Sequence, residues 1–375
     1  MTAARAMRVA FLTSSRLWRG SGVSLAKIAA GLGERGHQPH MLAGSPVVRD
    51  AFAELGLPAT VVRTRKTGLR EARELRRQLR ALGTEALLVD KPRDLRLASV
   101  ATLGFRTALL YRYNHSVLGG PLGIRTRLLL RRAAGCIFQS ERVRQQALQR
   151  TPWLGRARAW VIPNGYDLSR FARSSAAGSE FRLRNGLAPD AAVVVTVSAL
   201  EKGKGQDVAI EAMARVGRGS QGVYVVCGEG DQEPRLRMLA AQAALPTLFM
   251  GYLGVADVVA AFSAADVVVH PSLHDIFPNA VGEAMACGCA VIASEVGGVG
   301  ELVGRDGTAG ILVPPGDPGA LAHAIGILLA DPARREALGA AARRRIESHF
   351  PLTRMLDAYE TVLRASIVCT RHDFT

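Results

Sequence analysis

"DVVVHPSLHDIFPNAVGEAMACG", residues 266–288, changes character twice. A β-branched apolar run ends at His270. A loop with two prolines follows, and Asn279 to Ala286 then reads as a helix of small and apolar residues. Because the strand is apolar throughout rather than alternating, it fits a parallel sheet covered by helices on both faces. The loop Pro271–Pro278 then lies beyond the carboxyl end of a parallel strand, where open α/β sheets bind ligands. Two carboxylates flank that position, Asp275 in the loop and Glu283 one turn into the helix. A helix start offers unpaired N–H groups to a phosphate. A carboxylate beside it is a strong acceptor for ribose or sugar hydroxyls.

The same rhythm runs through the chain. Apolar strands are expected at 8–14, 38–44, 59–64, 85–90, 107–114, 135–140 and 159–165. The second half repeats them at 191–200, 223–228, 247–251, 266–272, 290–294 and 310–316. Alternation with helical segments predicts an α/β protein of two doubly wound, Rossmann-like parallel-sheet domains. Residues 165–190 are rich in Ser, Ala, Gly and polar groups, and no strand fits them. The hinge is placed there, giving domains 1–170 and 171–350. Helices are expected at 317–330, 332–348 and 352–366, and residues 351–375 are expected to cross back to the first domain.

Composition narrows the partners. The chain has 375 residues and is 48% hydrophobic, but its best apolar runs are only about six to eight residues, too short to span a bilayer. "MTAARAM" leads into a strand, not a secretory core, so a cytoplasmic protein is expected. Cysteines 136, 227, 287, 289 and 369 read as small buried thiols, with no zinc-knuckle spacing. Net charge is +16 and unevenly spread. Residues 1–170 carry 30 Lys and Arg against 10 Asp and Glu, and the remainder carries 18 against 22. A half so basic suits an anionic surface: membrane lipid, nucleic acid or a phosphorylated substrate. Helix 68–82 puts Leu69, Ala72, Leu75, Leu79 and Leu82 on one stripe and arginines over much of the rest. Such a helix either lies on an anionic membrane or packs its leucines on the sheet. "GIRTRLLLRR" (123–132) adds a second basic patch.

The stretch Pro271-Ser272, Phe277 and Glu283-Ala284-Met285-Ala286, then Gly288, resembles the donor-site signature of family 4 retaining glycosyltransferases, which have the GT-B fold. That family usually has Glu-Gly where this chain has Asp275-Ile276. The shorter acid changes the reach by about one C–C bond, roughly 1.5 Å. "VSALEKGKGQDVAIEAM" (197–213) is similar to the family's phosphate-binding segment, with Lys204 as its lysine and Ala199 where an arginine is common. "VIPNGYDLSRF" (161–171) resembles the interdomain segment. "CGEGDQEPRL" (227–236) resembles the glycine-rich turn beside the nucleotide, and "SEVGGVGELV" (294–303) an element near the end of the donor domain.

The resemblance implies a donor site of Lys204, Glu283, Phe277, Pro278, Asn279, Ala280, Gly228 and Gly230. Asp275 would orient the sugar, Glu283 would hold the ribose, and Lys204 would meet the diphosphate as a compact point charge. On the acceptor side, "SSRLWRGSGVSLAKIAAGLGERGH" (14–37) supplies a glycine loop with Gly20, Ser21 and Gly22. Leu25 occupies the last glycine position of a GxGxxG, so no NAD fingerprint is present. Arg112, Asn114 or His115 could sit where the family often has a histidine touching the donor sugar. His115 is taken as the catalytic candidate and Arg112 as an acceptor contact.

The expected activity is metal-independent, retaining, hexosyltransferase-like transfer from a nucleotide-sugar. The acceptor would be a glycan, lipid-linked or lipopolysaccharide-type molecule in cell-envelope polysaccharide biosynthesis, handled at the inner membrane face. No DxD is present, and neither metal nor cofactor is expected. Two other readings compete: a degenerate nucleotide-sugar-binding protein without transferase activity, and a basic nucleic-acid-binding protein. The second lacks any RNP, helix-turn-helix or zinc-finger signature, and aromatics are only 5%.

Overall fold

The computed structural model describes residues 5–114, 133–216 and 222–372. The chain divides into two compact units. Unit 1 takes residues up to Asn164 together with those from Thr353 onward, and unit 2 is Gly165–Leu352. The sequence placed these boundaries at 170 and 350.

Unit 1 holds, among the described residues, a seven-stranded parallel sheet in the order β3-β2-β1-β4-β5-β6-β7. The strands are β1 Arg8–Thr13, β2 Gln38–Ala43, β3 Ala59–Val61, β4 Ala86–Val89, β5 Ala108–Arg112, β6 Gly135–Phe138 and β7 Ala159–Val161. β1 pairs with both β2 and β4, so the winding direction reverses between β1 and β4. Phe11, Leu12, Leu87 and Tyr111 are fully buried, as both-face coverage requires.

The sheet of unit 2 has six strands in the order β10-β9-β8-β11-β12-β13. They are β8 Ala192–Val197, β9 Gly222–Cys227, β10 Thr247–Phe249, β11 Val267–His270, β12 Val291–Ser294 and β13 Ile311–Val313. Side chains alternate across it. Val193, Val195 and Val268 enter one core, while Val194, Val267 and Val269 enter the other. Here the winding reverses between β8 and β11.

Three elements depart from expectation. The supposed hinge contains a helix, Ser175–Arg184, capped by the Ser174 hydroxyl, which accepts from Ala177 N. Phe181 is buried beneath it, and Arg182 donates to the Ala264 carbonyl and to Asp266. The segment is therefore part of unit 2. The helix expected at 352–366 runs on to His372, as Leu352–His372. On the basic helix Leu69–Ala81, Ala72, Leu75 and Leu79 are buried but Leu69 is 68% exposed. Arg76 and Arg80 of that helix lie over the Phe105 ring, at 4.2 and 4.8 Å from its centroid. The basic stretch 123–132 lies outside the described residues.

Candidate active site

The carboxyl ends of β8 and β11 meet where unit 2 reverses its winding, the ligand position of an open α/β sheet. The loop after β8 folds onto the loop after β11. Leu273 N donates to the Gly203 carbonyl at 2.9 Å, and the Ser272 hydroxyl donates to the same oxygen at 3.3 Å. Gly205 must be glycine: its φ is +75°, and a Cβ there would run into the Pro271 backbone carbonyl.

Lys204, held in this turn, places Nζ 2.8 Å from Oδ2 of Asp275. The other Asp275 oxygen accepts from Ile276 N at 2.9 Å. His270, the last residue of β11, brings Nε2 to 3.4 Å from Oδ2. Burial alone would raise the Asp275 carboxyl. The Lys204 ammonium and the His270 ring outweigh it and hold the group well below the usual carboxylate range. Asp275 is thus held as an anion, with Lys204 on one oxygen and Ile276 N on the other.

Asn279–Ala286 forms the helix that starts beside this loop, with Pro278 at its cap position. Glu283 is half-buried on it. Gly282 lets the Tyr166 ring lie directly against the helix, and Tyr166 donates its hydroxyl to the Pro278 carbonyl at 3.4 Å. Burial, and then the charges of Glu283 and Asp275, push the Tyr166 hydroxyl far up. Phe277 is buried in the core beside Phe350; it fixes the loop from below. Asn279 and Ala280 are half-buried in the first helical turn.

Gly228 and Gly230 follow β9 at the same end of the sheet. Their openness is taken up by protein: a Cβ at either would strike the Ser198 or Leu200 carbonyl. The two loops are stitched by Leu200 N to the Glu229 carbonyl at 2.8 Å. These glycines bring two ligand-side loops together.

Unit 1 treats its predicted residues differently. Gly20, Ser21 and Gly22 form the first turn of the helix Gly20–Glu34 rather than a loop, and the ring of Trp18 packs on Gly22. Arg112 is 3% exposed and donates to Asn164 Oδ1 at 2.9 Å and to the Tyr359 hydroxyl at 3.2 Å. His115 lies outside the described residues.

Two features escaped the sequence reading. His270 passed as the end of an apolar strand. In "LLVDKPRD" (87–94), Asp90 and Asp94 are wholly buried beside the reversal between β1 and β4. Asp94 accepts from Ser14 N at 2.9 Å. Its carboxyl is pushed up to about 7, by burial first and by Asp90 second. An acid just past a strand end was the available signal.

Two α/β units with these reversals and this loop pair define a GT-B type chain. A glycosyltransferase from Rickettsia africae matches it with a TM-score of 0.84 at 16% identity, over 97% of this chain and 99% of that one. Anabaena HepE, solved with UDP, matches with a TM-score of 0.82 at 22% identity, over 96% and 100%. Residues 179–345 match the family model "Glycosyl transferases group 1", and residues 18–170 match "Glycosyltransferase Family 4". The chain belongs to this glycosyltransferase family. A D-inositol 3-phosphate glycosyltransferase of Geodermatophilus obscurus is 39% identical over 199 residues, covering 50% of this chain and 43% of that protein. The chain spans about half the length of the curated relatives it matches.

Proposed function

We propose that this protein is a retaining glycosyltransferase whose unit 2 binds a nucleotide-sugar donor. The observation that carries this reading is the Lys204–Asp275 pair at the reversal of the sheet, with Glu283 one turn into the adjoining helix. Lys204 meets the diphosphate, Asp275 accepts from a sugar hydroxyl, and Glu283 accepts from the ribose. HepE, a structural neighbour, was solved with UDP-glucose, which supports this class of donor. A lysine beside the leaving diphosphate supplies the positive charge that a metal ion supplies elsewhere, so transfer proceeds without metal. The departing diphosphate serves as base for front-face attack by the acceptor, and no protein nucleophile is required.

Unit 1 takes the acceptor, a glycan or lipid-linked molecule of the cell envelope, and the enzyme works at the cytoplasmic membrane face. Among the described residues no helix is long and apolar enough to cross a membrane. The arginine-rich face of Leu69–Ala81 supports peripheral contact with anionic lipid. Cosedimentation with anionic but not neutral vesicles, weakening as salt rises, is the expected result.

Thermal melts with UDP-glucose, GDP-mannose and ADP-glucose in EDTA test the donor site. One nucleotide class should raise the wild-type midpoint by mass action. Lys204→Ala and Glu283→Ala should each lose about 1.5–3 kcal/mol of that binding, the scale of a charged hydrogen bond. No stabilisation of a well-folded wild type by any donor overturns the reading.

A further inference from the structure

We infer that His270 is a positioning residue that holds the Asp275 carboxylate while Lys204 engages the diphosphate, an inference that rests on the donor-site reading above. His270 ends β11, beside Ala293 of β12, in the middle of the sheet. It is 4% exposed, and its Nε2 is fully buried without a hydrogen-bond partner. Native proteins leave few such atoms, because the lost solvation is not repaid. The nearest ionised group is Asp275, whose Oδ2 lies 3.4 Å away. That same oxygen is occupied by Lys204 at 2.8 Å. One acceptor therefore faces two donors, one of them engaged and the other adjacent.

A diphosphate competes for the ammonium. As Lys204 turns to it, Asp275 would be left largely buried, with Ile276 N on its other oxygen as its remaining partner. Among the described residues, His270 is the only other side chain within ion-pair distance of that carboxylate. A small ring rotation lets Nε2–H donate to Oδ2. The carboxylate then keeps its charge and direction while it accepts from the sugar. The proton stays on His270, no bond to substrate forms there, and the effect on the reaction runs through Asp275.

Two measurements test this. In the first, donor hydrolysis is followed with whichever of UDP-glucose, GDP-mannose or ADP-glucose stabilises the wild type. His270→Leu should lower kcat by about 10²-fold, the scale of a misplaced reacting group. KM and the melting shift given by the bare nucleoside diphosphate should not change. His270→Gln, whose amide nitrogen can replace Nε2, should recover most of the loss. Wild-type kcat in His270→Leu, or equal losses in both variants with weakened diphosphate binding, would overturn the inference. The second measurement needs no activity. In a thermal double-mutant cycle, His270→Leu should cost more in a Lys204→Met background than alone, because His270 is then Asp275's remaining side-chain partner. Additive losses would overturn the inference. Failure of every donor to stabilise the wild type would instead overturn the reading of the site, and the cycle would still report on His270.

Discussion

One carboxylate oxygen of Asp275 lies within reach of two side-chain donors, while both oxygens of Asp90 are buried without a hydrogen bond. The two acids respond oppositely. Against the raising effect of burial, Asp275 is pulled down by the Lys204 ammonium and the neighbouring His270 ring, whereas Asp94, next to Asp90, is pushed up to about 7 by burial and by that neighbour. An acid with a raised folded-state pKa binds a proton that the unfolded chain has already released near its ordinary value of about 3.9. Its contribution to stability is complete below about pH 4 and is lost as the pH rises through about 7. Urea melts should therefore show the wild type weakening between pH 5 and pH 8. Asp94→Asn should flatten that fall and exceed the wild type at pH 8, since its amide oxygen can still accept from Ser14 N. A parallel fall in both proteins would remove Asp94 as the cause.

At the scale of elements, the site depends on how loops nest. Gly205 and Gly297 both adopt positive φ, and both lie against backbone carbonyls of the β11 loop, Pro271 and Asp275 respectively. Gly205→Ala combines a left-handed backbone with a collision that cannot be relieved by a side-chain rotation. A loss of about 2–4 kcal/mol in chemical denaturation is expected, with donor binding abolished before the fold. The strands were readable in advance because residues such as Val193–Val195 and Val267–Val269 are apolar without a break, which only a two-faced core explains. Asp275 could be assigned to a ligand-side loop because it follows such a strand, whereas Lys204 was singled out only by the resemblance of residues 197–213 to the family's phosphate-binding segment. What fills the space at Gly228 and Gly230 was not: the sequence shows that a close approach is needed, not that backbone supplies it. His270 was hidden for a related reason, since a histidine ending a buried strand looks the same whether or not a carboxylate faces it. The Ser175–Arg184 helix was missed because its Ser, Ala and Gly resemble a linker, and its place depends on Phe181 entering the core and on Arg182 finding partners more than eighty residues away.

At the scale of the whole molecule, the last helix belongs to the first unit. Met355, Leu356, Tyr359 and Leu363 are buried, and Leu356 lies against Gly31. Arg35 and His37 meet Glu360, and Arg112 meets the Tyr359 hydroxyl. The chain leaves unit 1 at Asn164 and re-enters at Thr353, and near both crossings Tyr166 and Pro351 run side by side as a parallel bridge. This order has a consequence during translation. Residues up to Asn164 are made before unit 2, but unit 1 stays short of a core helix until Leu352–His372 has been translated, while unit 2 is complete earlier. An isolated piece spanning 165–352 should melt cooperatively. A piece ending at 170 should expose apolar surface and precipitate, and adding a synthetic 351–372 peptide in trans should rescue it. A stop codon within Leu352–His372 would then abolish unit 1 although its strands are made before those of unit 2, and a nascent chain stalled there would engage chaperones through residues that precede unit 2 rather than through those just added.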